Sequence, residues 1–171
     1  MTTVAFDGKI IACDSQVSGG MGDNMYKETA TKGRVISTVA GPALVIGVGL
    51  VSDFEEALGF IEQGKNPKLT QDESEILMVK DGAVYRIAPE SSSQAGKPSA
   101  RVPARARKVS HPYAWGSGEV YAFTVLRLGG TAGQAVAASC VIDLYSSGTI
   151  HAWDVETLRP VKVSQKAPTI K

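Results

Sequence analysis

The chain opens MTTVAFDGKIIACDS, residues 1–15, and this stretch decides the fold. Residues 2–6 (TTVAF) and 9–13 (KIIAC) are β-branched and apolar runs on either side of Asp7-Gly8. That dipeptide readily adopts positive φ and is the strongest short signal for a two-residue hairpin turn. Chain termini are ordinarily the loosest part of a domain. A first strand that begins at residue 2, with two threonines in it, gives the terminus a reason to be held still.

Working outward, residues 17–24 (VSGGMGDN) are glycine-rich and read as a loop, and 34–39 and 43–48 read as a second strand pair around Gly41-Pro42. Ser52 begins SDFEEALGFIEQG, in which Phe54, Ala57, Leu58, Phe60 and Ile61 recur at helical spacing. Acids in its first turn and Gly64 past its end predict a helix capped by the serine or the aspartate. Residues 75–80 and 83–87 flank Asp81-Gly82 as another hairpin. Residues 91–110 are rich in Ser, Pro and Ala, with five basic residues and no acid from Lys97 to Lys108, and predict a flexible basic insertion. Helical patterns follow at about 119–128 and 132–145, then a strand pair at 149–155 and 160–164. This order predicts an α+β fold of antiparallel sheets with segregated helices.

With 171 residues, 43% hydrophobic and 20% charged, the chain is expected to form a single soluble domain over 1–171. A net charge of +1 provides no broad electrostatic footprint for nucleic acid or an anionic membrane. The basic tract at 97–108 lacks interleaved aromatics, so a solvated loop explains it better than a nucleic-acid contact. Cys13 and Cys140 lie in apolar runs and read as small core hydrophobes in a reducing compartment. No signal-peptide pattern opens the chain, and no apolar run approaches the ~20 residues that span a bilayer. A cytoplasmic protein without a membrane segment is expected.

Most catalytic constellations are missing from the sequence. His111 and His151 are the only histidines, and no G-x-S-x-G elbow occurs to support a serine triad. There is no zinc-spaced Cys/His cluster, Walker loop or strand-linked G-x-G-x-x-G, so no metal or cofactor is expected. The terminus remains. Met1 followed by a small residue is a substrate for methionine aminopeptidase, and simple removal of Met1 would leave Thr2 with both a hydroxyl and a free amine. An α-amino group titrates at about 7.7–8.0 and can serve as general base for its own hydroxyl. A nearby cation keeps that amine neutral, and a carboxylate holds the cation. Lys32 and Asp14 are the candidates.

The succession of T-T-V, I-I-A-C-D-S, Y-K-E-T-A-T-K ending at Lys32, I-G-V-G-L-V-S-D, and G-S-G at 116–118 resembles the proteasome β-subunits. It is most similar to the HslV-type peptidases of bacteria and their short phage-associated cousins. The resemblance covers most of residues 2–158 and implies an N-terminal nucleophile hydrolase with a four-layer αββα sandwich. It gives Thr2 as nucleophile and base, Asp14 as carboxylate partner and Lys32 as the cation that sets the amine's pKa. It also implies Gly49 as backbone donor to the oxyanion, with Gly47 as the fallback. Ser117 is implied as a hydrogen-bond partner near the amine, and Asp143 and Ser146 as its further support. Taken singly, Asp14 caps a turn with Ser15, Lys32 is a solvated lysine, Ser117 makes a turn, Asp143 caps or pairs locally, and Gly49 serves close packing. Trp115 and Trp153 read as core or subunit-contact residues.

Gly64 to Glu73 leaves no room for the second long helix of typical subunits, which predicts a thinned helical layer and puts ring size in question. Gln16 stands where many subunits carry arginine, while glutamine at this place is familiar in the HslV branch. The resemblance implies a threonine peptidase that cleaves polypeptide through an acyl-enzyme, in a homo-oligomeric ring fed by an ATP-dependent unfoldase. A catalytically silent proteasome-like scaffold or phage interaction protein is the alternative, and an amidase acting on a small amide is another.

Overall fold

The computed structural model describes residues 2–19, 26–70, 74–89 and 101–167. It is a mixed α and β structure in two compact units, one formed by residues 1–32 with 110–171 and the other by 33–109. Every strand pairing among the described residues is antiparallel.

In the first unit, β1 (Thr3–Phe6) and β2 (Ile10–Cys13) form the expected hairpin, with Val4 opposite Cys13 and Phe6 opposite Ile11. Gly8 takes φ of 104°, and Asp7 Oδ1 accepts the N–H groups of Lys9 at 3.0 Å and Ile10 at 2.8 Å. The turn therefore closes through aspartate chemistry as well as glycine freedom. β11 (Tyr113–Gly116) and β12 (His151–Asp154) complete a sheet in the order β11-β1-β2-β12. The helices α2 (Glu119–Arg127) and α3 (Ala132–Ile142) pack on it through an alanine-rich core that includes Ala5, Ala12, Ala114, Ala135 and Ala152. Small side chains on both surfaces bring helix and sheet close together. A capping box between Thr131 and Gln134 starts α3, and Asp7 Oδ2 accepts the Ala132 N–H at 2.9 Å, which ties the hairpin to that helix.

Two expectations change in this unit. Gln16–Gly19 is not loop but strand β3, paired with β4 (Tyr26–Thr29); residues 20–25 lie outside the described set. The last strand pair reduces to β12 and one bridge from Trp153 to Pro160, flanked by bonds from the Asp154 N–H to the Arg159 carbonyl and from the Val161 N–H to the Ala152 carbonyl.

The second unit is a sheet in the order β5-β6-β8-β9-β10-β7. Its strands are β5 (Gly33–Thr38), β6 (Gly41–Val48), β7 (Lys68–Thr70), β8 (Glu75–Lys80), β9 (Ala83–Pro89) and β10 (Arg101–Lys108). Asp81 and Gly82 take φ of 50° and 69°, the two positive values that a hairpin turn of this type requires. Helix α1 (Val51–Glu62) lays Phe54, Ala57, Leu58 and Ile61 on Val45, Leu69, Ile76 and Ile87.

The cap of α1 is neither Ser52 nor Asp53. The N-cap is Leu50, without a side-chain bond, and Asp53 reaches instead to the Thr70 N–H at 2.7 Å and to Arg101 at 2.6 Å. The flexible basic stretch also needs correction. Residues 91–100 lie outside the described set, but Arg101–Lys108 is strand β10, held by β9 and by the Asp53–Arg101 ion pair. Its alternation of Arg with buried Val102 and Ala104 is a strand pattern that the overall polarity of the stretch conceals. No helix among the described residues is long and apolar enough to cross a membrane.

Candidate active site

Asp14 follows β2 and is fully buried. Its carboxylate is saturated by four donors. Oδ1 accepts the Thr3 N–H at 2.8 Å and the Lys32 ammonium at 2.9 Å, and Oδ2 accepts the Gln16 N–H at 3.0 Å and the Ser147 N–H at 3.3 Å. Lys32 is itself 8% exposed, so the pair is a buried one and not a surface contact. A buried carboxylate is tolerable only when its lone pairs are met in this way. The chain thus binds the lysine and the peptide unit between Thr2 and Thr3 through one oxygen atom.

The G-S-G stretch closes over the same terminus. The Ser117 N–H donates to the Thr2 carbonyl at 3.0 Å. Gly116, opposite Thr3 in the sheet, has φ of 92°, and a Cβ there would stand 1.7 Å from the Thr2 oxygen. Both the conformation and the contact demand glycine. A Cβ on Gly118 would stand 2.2 Å from Thr3 Oγ1. The two glycines therefore exist so that Thr2 and Thr3 can lie against this turn.

A relay of hydroxyls leads from there to Asp143. The Gly118 N–H donates to Thr3 Oγ1 at 3.1 Å, Thr3 Oγ1 and Ser146 Oγ are 2.6 Å apart, and Ser146 Oγ donates to Asp143 Oδ2 at 2.6 Å. Because the one hydroxyl hydrogen of Ser146 goes to the carboxylate, Thr3 is the donor between the two hydroxyls. Ser117 Oγ donates to the same Asp143 oxygen at 2.6 Å. Helix α3 ends at Ile142 and not at 145 because Asp143 turns to extended backbone as its C-cap.

Burial pushes the Asp143 carboxyl up, but the hydrogen bonds from Ser117, Ser146 and the Tyr145 N–H outweigh it and hold the group below its ordinary value. A depressed folded-state pKa stabilises the protein above the unfolded value, about 3.9, and that stabilisation disappears as pH falls through the folded value. Denaturant midpoints measured from about pH 7 down to about pH 3 should fall more steeply for the parent than for Asp143→Asn, the two converging at the acid end.

Six of the expected residues lie in the first unit. Thr2, Asp14 and Lys32 gather around one carboxylate, and Ser117, Asp143 and Ser146 form the adjoining hydroxyl cluster. Gly49 belongs to the second unit, between β6 and α1, with φ of 108°. Gly47 has a plainer explanation, because a Cβ there would stand 2.7 Å from the Phe54 ring. The sequence reading missed Thr3 and Ser147 as partners. Doubling of the threonine was the signal for the first; a backbone N–H such as that of Ser147 leaves none. Gln16, buried, adds a bond from Nε2 to the Leu144 carbonyl and accepts one from Ser147 Oγ.

The thiols take no part in this geometry. Burial, with Asp14 adding to it, pushes Cys13 up to about 12, and burial pushes Cys140 up to about 11. Neither supplies a thiolate at neutral pH. Among the described residues, no three His, Cys, Asp or Glu side chains gather in a way that could hold a metal ion.

No family model matches the sequence, and no curated protein does. Solved structures do match. Thiobacillus denitrificans BPH in complex with epoxomicin aligns with a TM-score of 0.59 at 16% identity, over 93% of this chain and 99% of that one. A second structure of Thiobacillus denitrificans BPH gives 0.58 at 18% identity, over 94% and 99%. The chain shares that protein's fold. Epoxomicin, which that neighbour binds, is a proteasome inhibitor.

Proposed function

We propose that the chain is a threonine-type N-terminal nucleophile hydrolase cleaving peptide bonds, with Thr2 bared by removal of Met1. One observation carries the reading: Asp14 Oδ1 binds both the Lys32 ammonium and the N–H of the peptide that links Thr2 to Thr3. A lone solvated lysine or a turn-capping aspartate does not account for a buried pair clamped at the first peptide unit. The inhibitor-bound structural neighbour supports a hydrolase of the same general kind.

The chemistry follows from that placement. The free amine of Thr2 takes the proton of its own Oγ1, and the oxygen attacks the scissile carbonyl. Lys32 keeps the amine neutral by disfavouring a second positive charge. Asp14 orients the lysine, and the Gly49 N–H is proposed as donor to the developing oxyanion. The amine then hands its proton to the leaving amine. This leaves an ester on Thr2, which water activated by the same amine hydrolyses. Ser117, Ser146 and Asp143 position the terminus in this scheme. A four-layer αββα arrangement, a homo-oligomeric ring, an ATP-dependent unfoldase and a cytoplasmic setting belong to the same proposal.

Hydrolysis of an unfolded polypeptide tests it. Protein that starts at Thr2 should cleave, and protein carrying a retained residue ahead of Thr2 should not, since an acylated amine is no base. Equal cleavage by both forms would reject the mechanism. Cleavage by neither, with Thr2 demonstrably the first residue, would favour a silent scaffold.

A further inference from the structure

We infer that Ser74 is a positioning residue that aims the Gly49 N–H, the donor proposed above for the oxyanion; the inference rests on that reading of Thr2 and Gly49. Glycine leaves both of its backbone angles free, so Gly49, at φ of 108°, does not by itself hold a direction for its N–H. Its two neighbours do. Val48 ends β6 and lies opposite Glu75 of β8. Leu50 donates its N–H to the Ser74 hydroxyl at 3.2 Å, and its carbonyl accepts the Phe54 N–H at 3.3 Å. Because the peptide between Gly49 and Leu50 is planar, pinning the Leu50 N–H also pins the far side of the glycine. Ser74 and Glu75, consecutive in the chain, thus hold Gly49 from both sides. The Gly49 N–H meets no backbone acceptor among the described residues, as a donor kept for a ligand requires.

Ser74 is held in turn. It is buried, and the one hydrogen of its hydroxyl goes to the Asp53 carboxylate, which leaves its lone pairs to the Leu50 N–H. Asp53 is the third residue of α1, the place from which an acidic side chain ordinarily reaches back to the N-cap N–H. Here the serine stands between them, and the helix start is closed by Leu50, Ser74 and Asp53 in series. Burial pushes the Asp53 carboxyl up, but bonds from the Thr70 N–H, Arg101, Ser74 and the Thr70 hydroxyl outweigh it and hold the group below its ordinary value. It therefore stays an acceptor at neutral pH. Water could satisfy the partly buried Leu50 N–H, but only a fixed acceptor gives it a direction.

Chain that begins at Thr2, with a short peptide amide as substrate, carries the test. Outright loss of one oxyanion donor costs on the order of 10²–10³-fold in kcat, so mis-aiming it in Ser74→Ala should cost about 10–100-fold. KM should stay unchanged, because the oxyanion exists only in the transition state. Ser74→Thr keeps the hydroxyl and should keep the parental kcat. Ser74→Cys fills the same space with a weak hydrogen-bonding group and should fall as alanine does, which covers an alanine variant that loosens the fold. A merely structural serine would lower the urea midpoint and leave kcat of the folded protein alone. Parental kcat in folded Ser74→Ala or Ser74→Cys, or a loss confined to KM, overturns the inference and leaves the Thr2 chemistry standing. A parent that begins at Thr2 and hydrolyses nothing removes that chemistry and this inference with it.

Discussion

Thr2→Ala should lower peptide hydrolysis by about 10³–10⁶-fold, the range expected when the only nucleophile of a covalent mechanism is removed. The fold should hardly notice. Thr2 binds its surroundings through its backbone carbonyl, which accepts from the Ser117 N–H, and alanine keeps that bond. The denaturation midpoint should shift by no more than about 1 kcal/mol. Thr3→Ala is the informative contrast. Its hydroxyl links the Gly118 N–H to Ser146 inside the protein, so removing it strands a buried donor and should cost about 1–3 kcal/mol. The two adjacent threonines thus separate by readout, with turnover depending on the first and stability on the second. Steady-state rates and urea midpoints on the same preparations distinguish them. Full activity in Thr2→Ala would end the nucleophile reading.

Asp14→Asn should cost both properties together. The carboxylate receives four donors in a site without solvent, and the amide can place only one oxygen among them while its NH₂ confronts either the Lys32 ammonium or backbone N–H groups. Breaking one side of a buried ion pair typically costs about 3–5 kcal/mol. Turnover should fall to the Thr2→Ala level, since the lysine loses the atom that holds it at the first peptide unit. Lys32→Met breaks the same pair from the other side. It leaves Asp14 with three backbone donors but without its counter-charge. Stability should therefore fall by a similar amount, and turnover should be lost as completely. Chemical denaturation with parallel rate measurements checks both variants; an Asp14→Asn protein of unchanged stability would contradict the buried geometry.

Features that depend on close neighbours along the chain are legible in the sequence itself. Asp7-Gly8 and Asp81-Gly82 announce their turns because aspartate and glycine meet the local backbone demand themselves. Helix α1 is readable from its apolar spacing, although its cap is not. Asp53 looks like a capping residue, and only the arrival of Thr70 and Arg101 from distant strands diverts it. Strand β10 is hidden for a related reason, because its arginines dominate the composition while the buried Val102 and Ala104 carry the structure.

The site divides along the same line. Asp14 and Lys32 can be named because a terminal amine used as base calls for a cation and a carboxylate, whereas the G-S-G turn is named only through the resemblance to proteasome β-subunits. That Gly116 and Gly118 serve two different threonine atoms, and that Gly47 answers to Phe54, emerges only in the folded chain. The donors from Gln16 and Ser147 are backbone groups present at nearly every residue, and nothing in the sequence singles them out.

The central claim is that a free amine and a hydroxyl act together on Thr2. An epoxyketone offers two electrophilic carbons, and a residue with both groups on neighbouring carbons can close a ring with them. Intact and peptide mass spectrometry after treatment with such a probe therefore tests the claim most directly. The account predicts loss of Met1, one adduct per chain on the peptide that begins at Thr2, and no adduct in Thr2→Ala. An unlabelled Thr2 on a chain already lacking Met1, or labelling that survives in Thr2→Ala, would contradict it.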